Sequence, residues 1–192
     1  QTVKALNNAV IDFQKAISNR DQGRVRVISY TNKQRNKVND YIRKKVFPDA
    51  TEDYVEGDFL LVNETYQIGE NVVYNSDTVL VDKVLNRYNR NLDYLGNLNI
   101  ETYSLETTTE NGDSIELQVL SKESKEKVDK AVDTLLSKAK KNRSLWRSYY
   151  AAKEILAREF ANVDYGYGIT AHKAQGSEYR NVYVFEDDIV DA

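Results

Sequence analysis

The pattern of hydrophobic and polar positions divides this chain into short alternating stretches and longer stretches with helical spacing. Residues 24–30 alternate as a β-strand does. The apolar residues that follow recur every three or four positions, as on one face of a helix: Val38, Tyr41, Ile42 and Val46. The pattern predicts a strand, a turn and a helix, with Thr31 or Asn32 as the helix cap.

The start of this helix is a candidate phosphate-binding position. The first backbone N–H groups of a helix have no partner within it, and the positive end of the helix dipole lies beside them. In this helix the free N–H groups and the positive end of the dipole would face outward next to Lys33. Many capped helices of this kind bind nothing, so this unit alone does not establish a ligand.

Between residues 58 and 120 the chain changes to short apolar runs that predict a small β module. The runs are Phe59 to Val62, Val72 to Tyr74, Val79 to Val84, Ile100 to Leu105, and Ile115 to Leu120.

The last two runs predict a hairpin of defined register. The apolar faces align when three pairs lie opposite each other: Tyr103 with Val119, Leu105 with Leu117, and Thr107 with Ile115. This register leaves a three-residue loop, residues 110–112, with Gly112 in the left-handed conformation. A two-residue turn would place Leu117 opposite Glu106, and that mismatch argues against it.

Residues 121–160 have helical spacing and predict two helices with a junction near Ser144. Trp146, Tyr149 and Tyr150 lie at the start of the second helix. Such a group can stack on nucleic-acid bases, but at helical spacing it is more typical of a protein core, which is the interpretation we favour.

Composition narrows the class of protein. The chain has 192 residues, 41% of them hydrophobic, with no cysteine and one histidine. Disulfide frameworks, thiolate zinc sites and histidine-based metal clusters are therefore excluded. No apolar run approaches the ~20 residues of a membrane span, and no signal-peptide pattern opens the chain, so a cytoplasmic location is predicted.

Charge is unevenly distributed around a net value of −3. Residues 33–45 hold six basic side chains and one acidic one, and residues 122–147 hold nine basic and four acidic ones, so each stretch carries +5. A solvated helix face is the usual explanation of such runs and is favoured for the second. The first run is more suggestive because it begins at the candidate phosphate-binding position.

Residues 165–186 form the most informative segment. Gly166 and Gly168 are predicted to loosen its entry, and residues 182–185 predict a buried strand. The polar residues between would lie at a sheet edge, where three side chains could donate to phosphate: Thr170, His172 and Lys173. Gly176 would let backbone approach a ligand, and Glu178 could accept a hydrogen bond from a ribose hydroxyl.

Two motifs resemble those of a known family. Thr-Ala-His-Lys-Ala-Gln-Gly-Ser-Glu at residues 170–178 resembles helicase motif V. Tyr-Thr-Asn-Lys at residues 30–33 resembles the motif after the first strand of the second motor domain in superfamily 1 helicases. With Arg43-Lys-Lys-Val-Phe47, the likeness is closest to the Dda-type and RecD-like helicases that move 5′ to 3′. It is specific only around residues 30–47 and 165–186.

The resemblance implies an α/β fold. Residues 1–47 and 144–192 would form a RecA-like (P-loop NTPase-type) motor domain without its own P-loop, ending before motif VI. Residues 48–143 would be an inserted domain, with an SH3-like β-barrel at 54–121 and a returning helix at 122–142. Because the chain has no methionine and begins at Gln1, we expect it to be a piece of a longer protein.

The resemblance also implies site residues and partners. The parent would be an ATP-dependent DNA helicase using ATP and Mg²⁺, and its partners would be single-stranded DNA and its own N-terminal motor domain. The DNA-binding residues would be Thr31, Asn32, Lys33, Thr170, His172 and Lys173. The nucleotide-binding residues would be Gln175, Gly176, Ser177 and Glu178. Lacking a phosphate loop and an acidic magnesium motif, this chain alone is expected to bind no nucleotide tightly and to hydrolyse no ATP.

A second interpretation stays open. The chain could be a non-catalytic interaction module that binds a protein through its β module, with the motif V likeness as a remnant. SH3-like barrels bind peptides through exposed aromatic grooves, and the chain has 14 tyrosines.

Overall fold

The structure is a computed structural model that describes residues 2–185, which form a mixed α/β arrangement. The helices are α1 (Thr2–Asn19), α2 (Asn32–Val46), α3 (Lys122–Lys141), α4 (Trp146–Glu159) and α5 (Ala171–Ala174). The strands are β1 (Val25–Ser29), β2 (Phe59–Val62), β3 (Tyr66–Ile68), β4 (Asn71–Val73), β5 (Thr78–Leu92), β6 (Leu98–Thr109), β7 (Ser114–Leu120), β8 (Val163–Tyr165), β9 (Gly168–Thr170) and β10 (Asn181–Val184). Two short 3-10 helices span Asp93–Leu95 and Arg143–Leu145.

Strands β10, β1 and β9 form a parallel sheet with β1 in the middle. Helices α1 and α2 pack against β1 and against each other, and Val25 and Val27 of β1 are fully buried. Helix α2 begins where predicted, because the Thr31 hydroxyl oxygen accepts a hydrogen bond from the Gln34 backbone N–H at 3.2 Å. The predicted strand, turn and helix are confirmed.

Strands β7, β6, β5, β2 and β8 form an antiparallel sheet in that order. The β6–β7 hairpin has the predicted register: Tyr103 pairs with Val119, Leu105 with Leu117, and Thr107 with Ile115. Gly112 has a φ of +89°, the left-handed conformation predicted for it. Glu106 pairs with Glu116, which excludes the two-residue turn.

Strands β5 and β6 are much longer than the apolar runs predicted. They stay paired from Val79 opposite Thr109 out to Leu92 opposite Leu98. Strands β3 and β4 form a separate small hairpin. The predicted helix junction near Ser144 is confirmed, since the 3-10 helix at Arg143–Leu145 separates α3 from α4.

One hydrophobic core connects the two larger sheets. It includes residues of α1, β1 and α2 together with residues of the antiparallel sheet. Phe13 of α1 lies at the centre, with its ring 5.2 Å from that of Tyr167 and 5.9 Å from that of Phe59. A smaller core lies apart at the far end of the long hairpin and is formed by Leu92, Ile100, Val128 and Phe160.

A buried ionic network also links the two sheets. Asp58, just before β2, is fully buried and pairs with Arg43 of α2 through Nε–Oδ1 and Nη2–Oδ2 contacts of 2.9 and 3.0 Å. The Tyr167 hydroxyl donates to the same carboxylate at 2.6 Å. Burial, followed by the charge of Asp58, raises the pKa of Tyr167 well above its usual range, so the phenol keeps its proton.

Strand pairing crosses the predicted domain boundary at residues 143 and 144. Strand β8 pairs with β2, although the sequence assigns them to different domains. Strands β7 and β8 are the two edges of the antiparallel sheet, and the Ala161 N–H donates to the Gln118 carbonyl at 2.8 Å, so the edges touch. One such bond does not make a closed barrel. The RecA-like and SH3-like assignments, and the domain division, stay predictions.

Candidate nucleic-acid interface

The two sequence motifs lie side by side at one edge of the parallel sheet. Strands β1 and β9 are hydrogen-bonded neighbours, and Ser29 pairs with Thr170 in register. Both strands therefore end at the same edge, from which Thr31 leads into α2 and Ala171 into α5. Ligands of open α/β sheets bind at this kind of edge, outside the carboxyl ends of parallel strands. We call it the carboxyl edge.

Part of the predicted DNA-binding set is displayed at the carboxyl edge. Thr31, Asn32 and Lys33 are exposed, and so is His172. Within residues 2–185, neither Asn32 nor Lys33 uses its side chain in a hydrogen bond or ion pair. Together with the N–H groups at the start of α2, these side chains can donate to a phosphate.

Thr170 and Lys173 are less available than the sequence suggests. Thr170 is only 9% exposed. Lys173 already has a partner, since its Nζ donates to Oδ1 of Asn63, just after β2, at 2.7 Å. Burial lowers the pKa of Lys173, and the like charges of Arg35 and Lys125 lower it further. In this structure Lys173 holds α5 against the antiparallel sheet.

An ionic cluster that the sequence analysis did not identify surrounds this lysine. Asp164 of β8 accepts from Arg35 of α2 at 3.1 Å and from Lys125 of α3 at 3.0 Å. Burial alone would raise the pKa of Asp164, but Lys125, a hydrogen bond from Asn63 and Arg35 outweigh it, so this pKa lies below its usual value. Arg35 and Lys125 belong to the two basic runs, which was the available signal, but their shared partner lies far along the chain.

We expect Asp164→Asn to destabilise the protein by about 1–2 kcal/mol at pH 7, because a charge-assisted pair is lost from a site that is one-third exposed. The folded-state pKa of Asp164 is depressed, so its contribution is present above the unfolded pKa of about 3.9 and is lost as pH falls through the folded value. Urea unfolding of both proteins at pH 7 and near pH 3 measures this. The matched control is Asp133→Asn on the exposed side of α3, and a gap between wild type and Asp164→Asn that does not narrow in acid would contradict the assignment.

The predicted nucleotide-binding residues form an exposed turn that leaves the carboxyl edge. All four of residues 175–178 are exposed, and Gly176 has a φ of +84°. The chain then returns to the opposite edge, where the Arg180 N–H donates to the Gly23 carbonyl at 3.3 Å and Asn181 pairs with Val25. Residues 175–178 therefore cross beside β1 between the two edges of the sheet. A nucleotide there would meet polar side chains that have no hydrogen bond within the described part of the chain.

Two predictions about the motif segment are wrong. Gly166 and Gly168 are not loosening residues, because a Cβ on Gly166 would lie 3.1 Å from the Leu60 backbone and one on Gly168 would lie 3.0 Å from Val38. They allow close packing. Strand β10 is formed but only half covered, since α1 packs on one side and Val182 remains 45% exposed. Glu186, the last residue of the segment, lies outside the described residues.

Arg26 is a second feature that the sequence analysis did not identify. It is fully buried in β1, donates to the carbonyls of Gln22 and Val25, and pairs with Glu110 of the β6–β7 loop at 3.2 Å. Its guanidinium lies 5.0 Å from the centre of the Tyr179 ring. Burial lowers its pKa, while Tyr179 and Glu110 oppose the change. Arg26 thus ties the turn that contains the predicted nucleotide residues to the antiparallel sheet. An arginine in an alternating strand gave no signal of this role.

Residues 2–185 contain neither a metal-binding cluster nor a membrane-spanning helix. No group of three or more histidine, cysteine, aspartate or glutamate side chains is placed to hold a metal ion. None of the helices in that part of the chain combines the length and the apolar character needed to cross a bilayer.

Comparison with known proteins gives one short similarity. The chain is 43% identical, over 58 residues, to an uncharacterised protein of Acanthamoeba polyphaga mimivirus. The similar stretch is 30% of this chain and 10% of the viral protein, so the chain spans a small part of that relative. No protein-family model matches the chain.

Proposed function

We propose that this chain is the second motor domain of an ATP-dependent DNA helicase or translocase and that it grips the backbone of single-stranded DNA. One observation carries the proposal. The pairing of Ser29 with Thr170 brings the two helicase-like motifs, which are far apart in the sequence, to one sheet edge. If the two motifs resembled those of helicases by chance, there would be no reason for them to lie next to each other in the fold.

The proposed grip is electrostatic and independent of base sequence. Lys33 and the N–H groups at the start of α2 would hold one phosphate, and Asn32 and His172 would donate to the neighbouring backbone. Thr170 would act mainly by ending β9 at the right place, because little of it is exposed. Such contacts release counterions, so affinity should fall as salt rises.

On the nucleotide side, this chain would supply one wall of a cleft. ATP with Mg²⁺ in the parent supplies the phosphoryl group whose transfer drives movement, and the parent's other motor domain would hold its phosphates. Gln175, Ser177 and Glu178 would contact the nucleotide from this side, with Gly176 allowing the turn. Tyr179 packs over Arg26, and Arg26 pairs with Glu110. A change in the conformation of the turn would therefore alter the position of the β6–β7 loop that contains Glu110.

We expect a short oligo(dT) to shift the backbone amide signals of residues 30–33 and 168–178 in an isotopically labelled sample at low salt. Lys33→Ala should weaken binding and reduce the slope of log affinity against log salt concentration by about 0.7, the value for one phosphate contact on a single strand. The matched control is Lys83→Ala, an exposed lysine on β5. If these amides stay unchanged, or if both lysine variants behave alike, the proposed grip is refuted.

The protein-binding interpretation predicts a different pattern of amide shifts. A peptide groove on the β module needs exposed aromatic side chains; Tyr66 and Tyr103 are each 2% exposed, whereas Tyr74 and Tyr88 are 62% and 36% exposed. Tyr66 and Tyr103 belong to the core, so a peptide bound there would contact Tyr74 or Tyr88. Signals that change only in residues 58–120, and only with a protein partner, would favour that interpretation over the motor.

A further inference from the structure

An aromatic cluster lies on the surface where α3 gives way to α4. The rings of Trp146 and Tyr150 are stacked, with 5.7 Å between centroids and an interplanar angle of 26°. Tyr149 packs edge-on against both rings. Tyr150 is 62% exposed, and none of the three belongs to either hydrophobic core. The interpretation of this group as core residues is therefore wrong.

The same corner of the fold is strongly basic. Residues 134–153 contain six basic side chains and no acidic one, in a chain whose net charge is −3. The six are Lys138, Lys140, Lys141, Arg143, Arg147 and Lys153. No ion pair joins any of them to another residue in the described range 2–185. Their charge is left for an outside partner or for solvent.

Some of these basic residues stabilise the helix in which they lie, but others do not. Lysines in the last turn of α3 interact favourably with the negative end of that helix dipole. Arg143 lies between the two helices, whereas Arg147 is the second residue of α4, next to the positive end of that helix dipole. Cations there are unfavourable for the helix, and its first turn has no acidic residue to offset them. A bound anion would reverse this unfavourable arrangement.

Stacked aromatic rings beside unpaired cations match the chemistry of a single nucleic-acid strand. Every base has a flat face that can stack on an exposed ring, and the phosphates beside it need positive charge. An acidic peptide would use the cations but has no need of the stacked rings.

We propose that the α3–α4 corner is a second binding site for single-stranded DNA. One unstacked base lies against Tyr150, which is supported from below by Trp146, while Arg143 and Arg147 contact the adjoining phosphates. That the strand is DNA rests on the proposed function. The site itself rests on these residues and is separate from the carboxyl edge.

The chain has a single tryptophan, so its fluorescence reports on this corner alone. We expect saturable quenching of Trp146 fluorescence when oligo(dT) is added at low salt. Tyr150→Ala should weaken the binding that causes this quenching by about tenfold or more, the size of a lost base stack. Tyr74→Ala is the matched control, because Tyr74 is also 62% exposed and should leave the quenching unchanged. Folding is not at risk at either position, and circular dichroism checks this.

Several outcomes would overturn the inference: no quenching by oligo(dT), equal effects of Tyr150→Ala and Tyr74→Ala, or quenching by poly-glutamate as strong as that by oligo(dT). The last result would mark a general polyanion surface instead of a base-stacking site. Arg143→Gln combined with Arg147→Gln should also reduce the salt dependence of quenching. If it does not, the assigned phosphate contacts are wrong.

This experiment separates the inference from the proposed function. Amide shifts at residues 30–33 without Trp146 quenching would refute the second site and leave the carboxyl-edge grip standing. Quenching that survives Lys33→Ala, with no shifts at residues 30–33, would support the second site and refute the grip.

Discussion

Asp58→Asn should reduce the free energy of unfolding by about 3–5 kcal/mol, because it leaves the partly buried guanidinium of Arg43 without a charge partner. The substitution keeps the shape of the side chain and an oxygen that can accept from Tyr167, but its NH2 group then faces the Arg43 guanidinium and the Val55 N–H, so the loss includes their hydrogen bonds as well as the charge. Chemical denaturation followed by far-ultraviolet circular dichroism gives the value.

Asp40→Asn is the control for this experiment. Asp40 also pairs with a cation, Lys122 at 3.6 Å, but its side chain is 69% exposed. Exposed pairs contribute about 0–1 kcal/mol, so this variant should stay close to wild type. Similar losses in the two variants would show that the Arg43–Asp58 pair does not join the two sheets as described.

Phe13→Ala should cost a similar 3–5 kcal/mol. Phe13 is fully buried, and its ring packs against Phe59 of β2 and against Tyr167, whose carbonyl accepts from the Val27 N–H of β1, so truncation leaves a cavity between the two sheets. Thermal and urea unfolding measure the change. Ile11→Ala, on the same helix at 49% exposure, is the control and should change stability by less than about 0.5 kcal/mol.

If Phe13→Ala destabilised the parallel sheet and left the antiparallel sheet unchanged, the two sheets would not share one core. Amide hydrogen exchange of Phe13→Ala separates these cases, since we expect faster exchange in both β1 and β2.

The sequence pattern predicted the structure correctly where it depends on residues close together in the chain. The β6–β7 register followed from aligning Tyr103 with Val119, because a one-residue slip would turn every apolar side chain outward. The start of α2 followed from the capping hydroxyl of Thr31, and the break between α3 and α4 from the end of an apolar stripe near Ser144. These features depend on neighbours in sequence.

Other features depend on tertiary partners that the sequence pattern does not reveal. The outer halves of β5 and β6 pair through backbone groups, and polar residues such as Asn89 and Arg90 give no apolar alternation there. No helix was predicted at residues 2–19, where α1 supplies Phe13 to the core. At the candidate site the motifs identified the carboxyl edge, but the partner of Lys173, Asn63, is 110 positions away.

The small second core at the tip of the long hairpin has a consequence for how the molecule opens. Within residues 2–185, four buried side chains form that core, with six partly buried ones packed around them, against the much larger cluster that joins the two sheets. Regions with few buried contacts open at lower free energy than the rest of a domain. We therefore expect the α3–α4 corner to open at lower free energy than the pairing of β1 with β9. A strand held at both places could be released from one without being released from the other.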